Sequence, residues 1–293
     1  GKRLPQALEA LVEELQQKVP NMVIALDQET GQVVWERQIN GYGNVQKVAI
    51  TYYNDRLYLG TNDGNEGAAL CVDANNGDVI WHFWGAPRPG EFGNDTWEGD
   101  SWRYGGATPW MHPAIDPELG LVYFTFGNAR GSRSSQDGSE RGGMNLFANS
   151  IVALDLNTGE YRWHFQSVHH DIWDMDNVHP PTLADIKING QTRKVVFYGS
   201  KSGHQFVLDR TNGQPALPVV EKPMIQDSRQ NTSLTQPFPA YRLLPECLVW
   251  EKLDPNNIPG NPWRAVPNYN GYQPDADGNL VFNPDSYVAA DEP

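Results

Sequence analysis

Residues 149–177 read NSIVALDLNTGEYRWHFQSVHHDIWDMDN. The first half, IVALDLNTGEYRW (151–163), runs as apolar residues, Asp, three residues, Gly, three residues and Trp. The second half sets two histidines and three acids between His169 and Asp176. The first frame returns as VIALDQETGQVVW (23–35) and ALCVDANNGDVIW (69–81). A fourth copy, FVLDRTNGQPAL (206–217), keeps Asp209 and Gly213 but ends in Leu217.

The frame has a physical reading. Asp and Gly make a tight turn between two strands, Gly supplying the positive φ angle. The Trp then packs under a neighbouring sheet and staples one unit to the next. The repeat Asp residues 27, 73, 155 and 209 are unevenly spaced, at intervals that suit four-stranded propeller blades. The widest interval contains PAIDPELGLVYFTFGN (113–128), a strand–turn–strand of its own, and polar, Gly-rich loops at 84–100 and 129–145. Loops of that kind project from blades and often carry function. The predicted fold is therefore an all-β propeller spanning 22–240.

Outside that span, residues 5–19 (PQALEALVEELQQKV) predict an N-terminal helix within 1–21. Leu8, Leu11, Leu15 and Val19 share a face, and Pro5 suits the first turn. Residues 241–293 read as an irregular excursion of the same domain, most of all the Pro-, Asn-, Gly- and Asp-rich 254–293.

Composition agrees with this picture. Ten Trp, 28 Gly and 22 Pro in 293 residues favour many turns and aromatic repeat positions over helices. A net charge of −14 argues against nucleic acid and anionic membrane surfaces. No apolar run approaches a membrane span. The chain does not begin with Met, so the lack of a leader says little about its address. Neither Cys71 nor Cys247 sits in a metal-ligand pattern, and their separation leaves pairing open.

In order along the chain, the Trp-ended repeats, TWEGDSWRYGGATPW (96–110), FGN (126–128), HHDIWDMD (169–176) and GSKSGHQFVLDRTNG (199–213) resemble the quinoprotein dehydrogenases. The HHDIWDMD and PTLADI (181–186) runs and the EKP segment (221–223) are most similar to the membrane-bound glucose dehydrogenase branch. GGATPW (105–110) and FGN look more like the alcohol dehydrogenase branch. The resemblance implies an eight-bladed propeller, of which about four to five blades are present here. It implies pyrroloquinoline quinone (PQQ) and a calcium or lanthanide ion at the centre. It also implies oxidation of an alcohol or sugar hydroxyl, a cytochrome or quinone as electron acceptor, the remaining blades as partners, and a periplasmic setting.

Carried over residue by residue, Asp174 matches the family's general base and a metal ligand. A carboxylate beside the hydroxyl can take its proton while the quinone takes the hydride. Lys201 matches the cation beside the reacting quinone oxygen. Trp110 and Thr108 match the indole platform and hydroxyl under the cofactor. Asn128 matches an amide metal ligand, since a side-chain carbonyl suits a hard cation. Asp176 matches the extra acid that accompanies lanthanide use. The family's Glu ligand falls on Asn62, beside Asp63, which removes one negative charge. The adjacent-cysteine disulfide of the alcohol branch is absent, as Cys71 stands alone. Read without the resemblance, each residue has an ordinary role: turn Asp or Asn, core Trp, surface Lys.

Two rival readings remain at this stage. His169, His170, Asp171 and His179 could form a transition-metal site, as imidazole suits zinc. A propeller can also be a non-catalytic scaffold that binds protein. Asp174, Lys201 and Asn128 at their family positions favour the enzyme, because a scaffold has no need of them.

Overall fold

The computed structural model describes residues 21–45, 48–62, 67–132 and 136–241, and the backbone of one further hairpin. The helix expected over 5–19, Asp63 and Cys247 lie outside the described residues. The chain divides into two compact units, Gly1–Tyr241 and Arg242–Pro293.

The first unit is a succession of antiparallel sheets. β1 (Met22–Leu26) and β2 (Val33–Gln38) form a two-stranded sheet. β3 (Ile50–Tyr53), β4 (Arg56–Gly60), β5 (Ala68–Asp73) and β6 (Val79–Trp84) form a four-stranded meander. β7 (Ala114–Asp116), β8 (Leu121–Thr125), β9 (Ser150–Asp155) and β10 (Tyr161–Gln166) form a second. β11 (Thr182–Ile188), β12 (Gln191–Gly199) and β13 (Gln205–Asp209) form a three-stranded sheet, and β14 (Val219–Pro223) pairs with β15 (Thr235–Pro239). In the second unit, β16 (Tyr272–Pro274) pairs with β17 (Leu280–Phe282).

The sheets stack face to face, and the side-chain alternation of each strand divides its residues between two neighbours. Leu70 and Val72 of β5 pack with Val23 of β1, whereas Ala69 and Cys71 pack with Val122 and Phe124 of β8. Leu121 and Tyr123 turn the other way, onto Val196 and Tyr198 of β12. This explains why β5, β8 and β9 are apolar at nearly every position: both faces are buried. Cys71 is fully buried, and desolvation pushes its thiol up to about 11, so it behaves as a small apolar core residue.

The repeat frame closes the turns after β1, β5, β9 and β13. Oδ1 of each repeat Asp accepts main-chain N–H bonds from within its own turn, for example from Asn157 at 2.9 Å and Thr158 at 3.0 Å for Asp155. The repeat Gly takes φ between 71° and 79° and donates its N–H to the Asp carbonyl. The structure adds a second reason for that Gly. A Cβ on Gly159 would stand 2.6 Å from the Trp81 ring, and one on Gly213 would stand 2.5 Å from Trp163. Gly77 meets Trp35 in the same way. Each Trp thus lies on the Gly of the next repeat. The fourth copy is truncated: after Gly213 only the bridge Leu208–Pro215 forms in place of an outer strand. Pro215 and Pro218 have no N–H for a ladder, and Leu217 stands where the frame has Trp.

Candidate active site

The sheet topology gathers the candidate residues before any side chain is considered. In a sequential antiparallel sheet, alternate connections fall at opposite ends. The Asp–Gly turns follow odd-numbered strands. Asn62 follows β4, Thr108 and Trp110 follow β6, Asn128 follows β8, Asp174 and Asp176 follow β10, and Lys201 follows β12. All therefore stand on the end opposite the repeat turns.

The long β6–β7 loop shares a small core with the loop after β8. Trp97 and Trp102 are buried with Ala86, Ala107, Ala129 and Ala148. The Arg88 guanidinium stacks on Trp84 at 3.9 Å. A Cβ on Gly67 would stand 2.6 Å from Thr108 Cα, so the β4–β5 loop touches the backbone that carries Thr108. Main-chain bonds then link neighbouring loops. Ala107 donates to the Asn128 carbonyl at 2.9 Å, Gly127 to the Thr108 carbonyl at 3.0 Å, and Ala49 to the Trp110 carbonyl at 3.1 Å.

On this frame the β10–β11 loop lays down its acids. Asp176 Oδ1 accepts the Asn128 N–H at 2.8 Å, and Asp176 Oδ2 meets Lys201 Nζ at 2.5 Å. Lys201 Nζ also reaches Asp174 Oδ2 at 3.3 Å. Gly127 permits this approach. A Cβ there would fall 2.5 Å from Asp176 Oδ1 and 3.2 Å from Trp110 Nε1, which places the indole edge beside the same carboxylate. The Asp174 side chain is 44% exposed and that of Asp176 is 11% exposed. Asp174 is thus the carboxylate open to a reactant, and Asp176 the one committed to protein donors. Burial disfavours the Lys201 ammonium, but Asp176, and then Asp174, outweigh it and raise its pKa.

Asn128 turns its amide nitrogen to the Ala129 carbonyl at 3.0 Å, which leaves Oδ1 without a hydrogen-bond partner among the described residues. Asn62 is half-buried at the end of β4, its N–H on the Asn44 carbonyl at 2.5 Å. No hydrogen bond among the described residues joins it to Asp174 or Asp176. The structure therefore brings Trp110, Asn128, Asp174, Asp176 and Lys201 together, with Thr108 directly behind, and leaves Asn62 on the neighbouring loop.

The transition-metal reading of His169, His170, Asp171 and His179 is overturned. His169 spends Nδ1 on Gln166 Oε1 at 2.8 Å and Nε2 on Glu221 Oε1 at 3.2 Å. His170 faces the carbonyls of Gly143 at 2.7 Å and Gln230 at 3.2 Å, and desolvation lowers its pKa. Asp171 is turned onto main-chain N–H groups, and His179 lies against Gly199. Among the described residues no three His, Cys, Asp or Glu side chains group to hold a metal. The four side chains are each directed to a different protein partner and do not converge on one ion.

Sequence reasoning missed Arg141 and Asn149, and it placed Asp171 only in the rejected metal reading. Arg141 is fully buried in a Gly-rich loop, where an Arg ordinarily reads as solvated. Desolvation lowers it to about 10, against the pull of the Asp171 carboxylate. Burial raises the Asp171 pKa, opposed by the hydrogen bonds it accepts. Asp171 had a visible signal, as the first of the three acids in HHDIWDMD.

Comparison with known proteins adds the family context. Residues 44–258 match the family described as "PQQ: Glucose/ethanol/alcohol dehydrogenase, beta-propeller domain". Quinoprotein glucose dehydrogenase A of Acinetobacter calcoaceticus is 35% identical over 201 residues, 66% of this chain and 24% of its own length. The quinohemoprotein alcohol dehydrogenase of Comamonas testosteroni is 37% identical over 211 residues, 66% of this chain and 30% of its own. The solved structure of quinohemoprotein alcohol dehydrogenase ADHIIG from Pseudomonas putida superposes with a TM-score of 0.60 at 30% identity, covering 75% of this chain and 34% of that one. A europium-containing methanol dehydrogenase gives a TM-score of 0.60 at 26% identity, covering 75% and 42%. The chain spans about a quarter to a third of the length of these curated relatives.

Proposed function

This chain belongs to the PQQ glucose/ethanol/alcohol dehydrogenase β-propeller family, and on that premise we propose that it supplies one side of the active site of a PQQ-dependent dehydrogenase acting on an alcohol or sugar hydroxyl. The supporting observation is the Asp174–Lys201–Asp176 cluster. It joins two loops distant in sequence at 3.3 Å and 2.5 Å and leaves Asp174 open.

The donor set fits the groups the family uses. Asn128 Oδ1, free of other bonds among the described residues, and the exposed Asp174 carboxylate are hard oxygen ligands for calcium or a lanthanide. Asp176 adds negative charge beside them, although both its oxygens already meet protein donors. Asn62 can offer an amide oxygen but no charge. Trp110 offers an indole face and Thr108 a hydroxyl to the planar cofactor. When bound, PQQ supplies the oxidant that takes the substrate hydride, and the metal supplies a Lewis acid.

The chain's own groups then have simple roles. Asp174 accepts the hydroxyl proton as the C–H bond breaks, and its exposure gives a hydroxyl access to it. Lys201 stays protonated and places positive charge where negative charge develops. Asp176, itself held by the Asn128 N–H, fixes the Lys201 ammonium beside Asp174. Electrons leave to a cytochrome or a quinone, and the remaining blades complete the ring and its closed sheet edges.

The test is a PQQ titration followed by quinone absorbance, in calcium and then in lanthanum, with dye-linked alcohol turnover measured in parallel. The expected result is stoichiometric binding and turnover once the ring is complete. Absence of any PQQ-dependent spectral change in the completed ring, with either ion, would leave a protein-binding scaffold as the better reading.

A further inference from the structure

Asp171 stands three residues before the proposed base and is 1% exposed. Its Oδ1 accepts the Trp173 N–H at 2.8 Å, and its Oδ2 accepts the Met175 N–H at 2.7 Å. These are the peptide N–H groups of the residues on either side of Asp174. One buried carboxylate therefore brackets the base from both directions along the chain.

Two further residues brace the bracket. Asn149 Nδ2 donates to Asp171 Oδ2 at 2.9 Å and to the Met175 carbonyl at 2.9 Å, so the residue after Asp174 is held at both its N–H and its C=O. Arg141, fully buried, donates from its guanidinium to the Asp171 main-chain carbonyl and to Asn145 Oδ1, the latter at 2.8 Å. Its charge also offsets that of the buried carboxylate.

The bracket answers a local need. Asp174 takes φ 63°, in the left-handed region. That conformation is unfavourable for a residue with a Cβ and persists only where its surroundings fix it. Only a carboxylate can accept three N–H bonds here without presenting a hydrogen of its own. An amide would set an N–H against an N–H.

We propose that Asp171 is a positioning residue for Asp174: its buried carboxylate fixes the left-handed turn and so aims the Asp174 carboxylate at its partner Lys201. This rests on the reading of Asp174 as the base. Asp171 itself takes no proton from the substrate.

The test is hydrogen exchange at the Trp173 and Met175 amides in the cofactor-free chain, comparing wild type, Asp171→Asn and Asp174→Asn. Loss of one buried hydrogen bond corresponds to about 10-fold faster exchange or more. The expected result is that acceleration at both amides in Asp171→Asn, with β9 and β10 amides unchanged, and no acceleration in Asp174→Asn. In the PQQ-loaded protein, Asp171→Asn is expected to lower kcat about 10- to 100-fold with KM unchanged. If Asp171→Asn fails to fold, Asn149→Ala removes one brace and is expected to act in the same direction, more weakly. Unchanged exchange at the two amides, acceleration spread equally over β9 and β10, or wild-type kcat despite faster exchange would each overturn the proposal. Retained turnover in Asp174→Asn would instead remove the base assignment, and the exchange result would still judge whether Asp171 fixes the turn.

Discussion

At one end of the sheets, the turns after β1, β5, β9 and β13 are each closed by hydrogen bonds within a single repeat and, from the second repeat on, covered by the Trp of the repeat before. At the other end, the loops after β4, β6, β8, β10 and β12 are tied to one another, as Asp176 is tied to Asn128 and to Lys201. The first end is made of local and nearest-neighbour contacts and recurs with the repeat. The second is made of contacts between distant segments and occurs once. A change at the turn end is expected to cost stability and spare chemistry, and a change at the exposed Asp174 of the loop end to do the reverse.

The largest effect is expected at the loop end. Asp174→Asn keeps the shape of the side chain and loses its basicity, so dye-linked turnover should fall about 10²- to 10⁴-fold while PQQ binding is preserved. Turnover within a factor of about two of wild type would take Asp174 out of the mechanism.

At the turn end, Gly159→Ala should destabilise by about 2–4 kcal/mol. The new Cβ meets the Trp81 ring at 2.6 Å, and the residue keeps φ 72°. Urea unfolding gives the midpoint, and PQQ affinity should be unaltered. A stability loss below about 0.5 kcal/mol would show that the Trp–Gly contact is not what joins successive sheets.

The smallest effect concerns pH at the same turn. The Arg162 hydrogen bond at 2.8 Å, with the N–H groups of Thr158 and Asn157, holds Asp155 at about 2, below the usual 3.8. A carboxylate lowered in the folded state contributes stability above its unfolded pKa, and that contribution is lost as pH falls from about 4 towards 2. Arg162→Ala should therefore unfold more easily than wild type near pH 5, with the gap narrowing near pH 2.5. A gap equal at both values would assign the Arg162 contribution to packing rather than to this ion pair.

The two ends also differ in how far they can be read from sequence. The turn end was legible because its physics is short-ranged. The Asp, Gly and Trp of each repeat act within thirteen residues or on the next repeat, so the frame in 151–163 appears on the page as a pattern. What the pattern hid was the reason for Gly, which is as much the approach of the preceding Trp as the positive φ. The truncation after Gly213 also had its signal, in Pro215 and the missing Trp.

The loop end was legible only in part. Asp174, Lys201, Trp110, Thr108 and Asn128 were found through family resemblance, because no spacing rule connects residues on separate sheets. The histidines show the hazard: four residues of metal-ligating types, three His and one Asp, lie close in sequence, yet their side chains go to Gln166, Gly143, main-chain N–H groups and Gly199. Arg141 carried no signal, since nothing local distinguishes a buried Arg from a solvated one.

The sequence by itself determined the strands, the repeat turns and the all-β class, since apolar alternation, Asx hydrogen bonds and positive-φ glycines are decided within a few residues. Only the tertiary structure decided which acid is exposed and which is spent. Asp171, Asp174 and Asp176 are chemically identical and lie within six residues. Asp171 is buried on main-chain N–H groups, Asp176 on Lys201 and Asn128, and Asp174 is left open to a reactant. That division depends on where three separate loops meet, and burial and hydrogen-bond partners at such a junction are set by residues the local sequence does not contain.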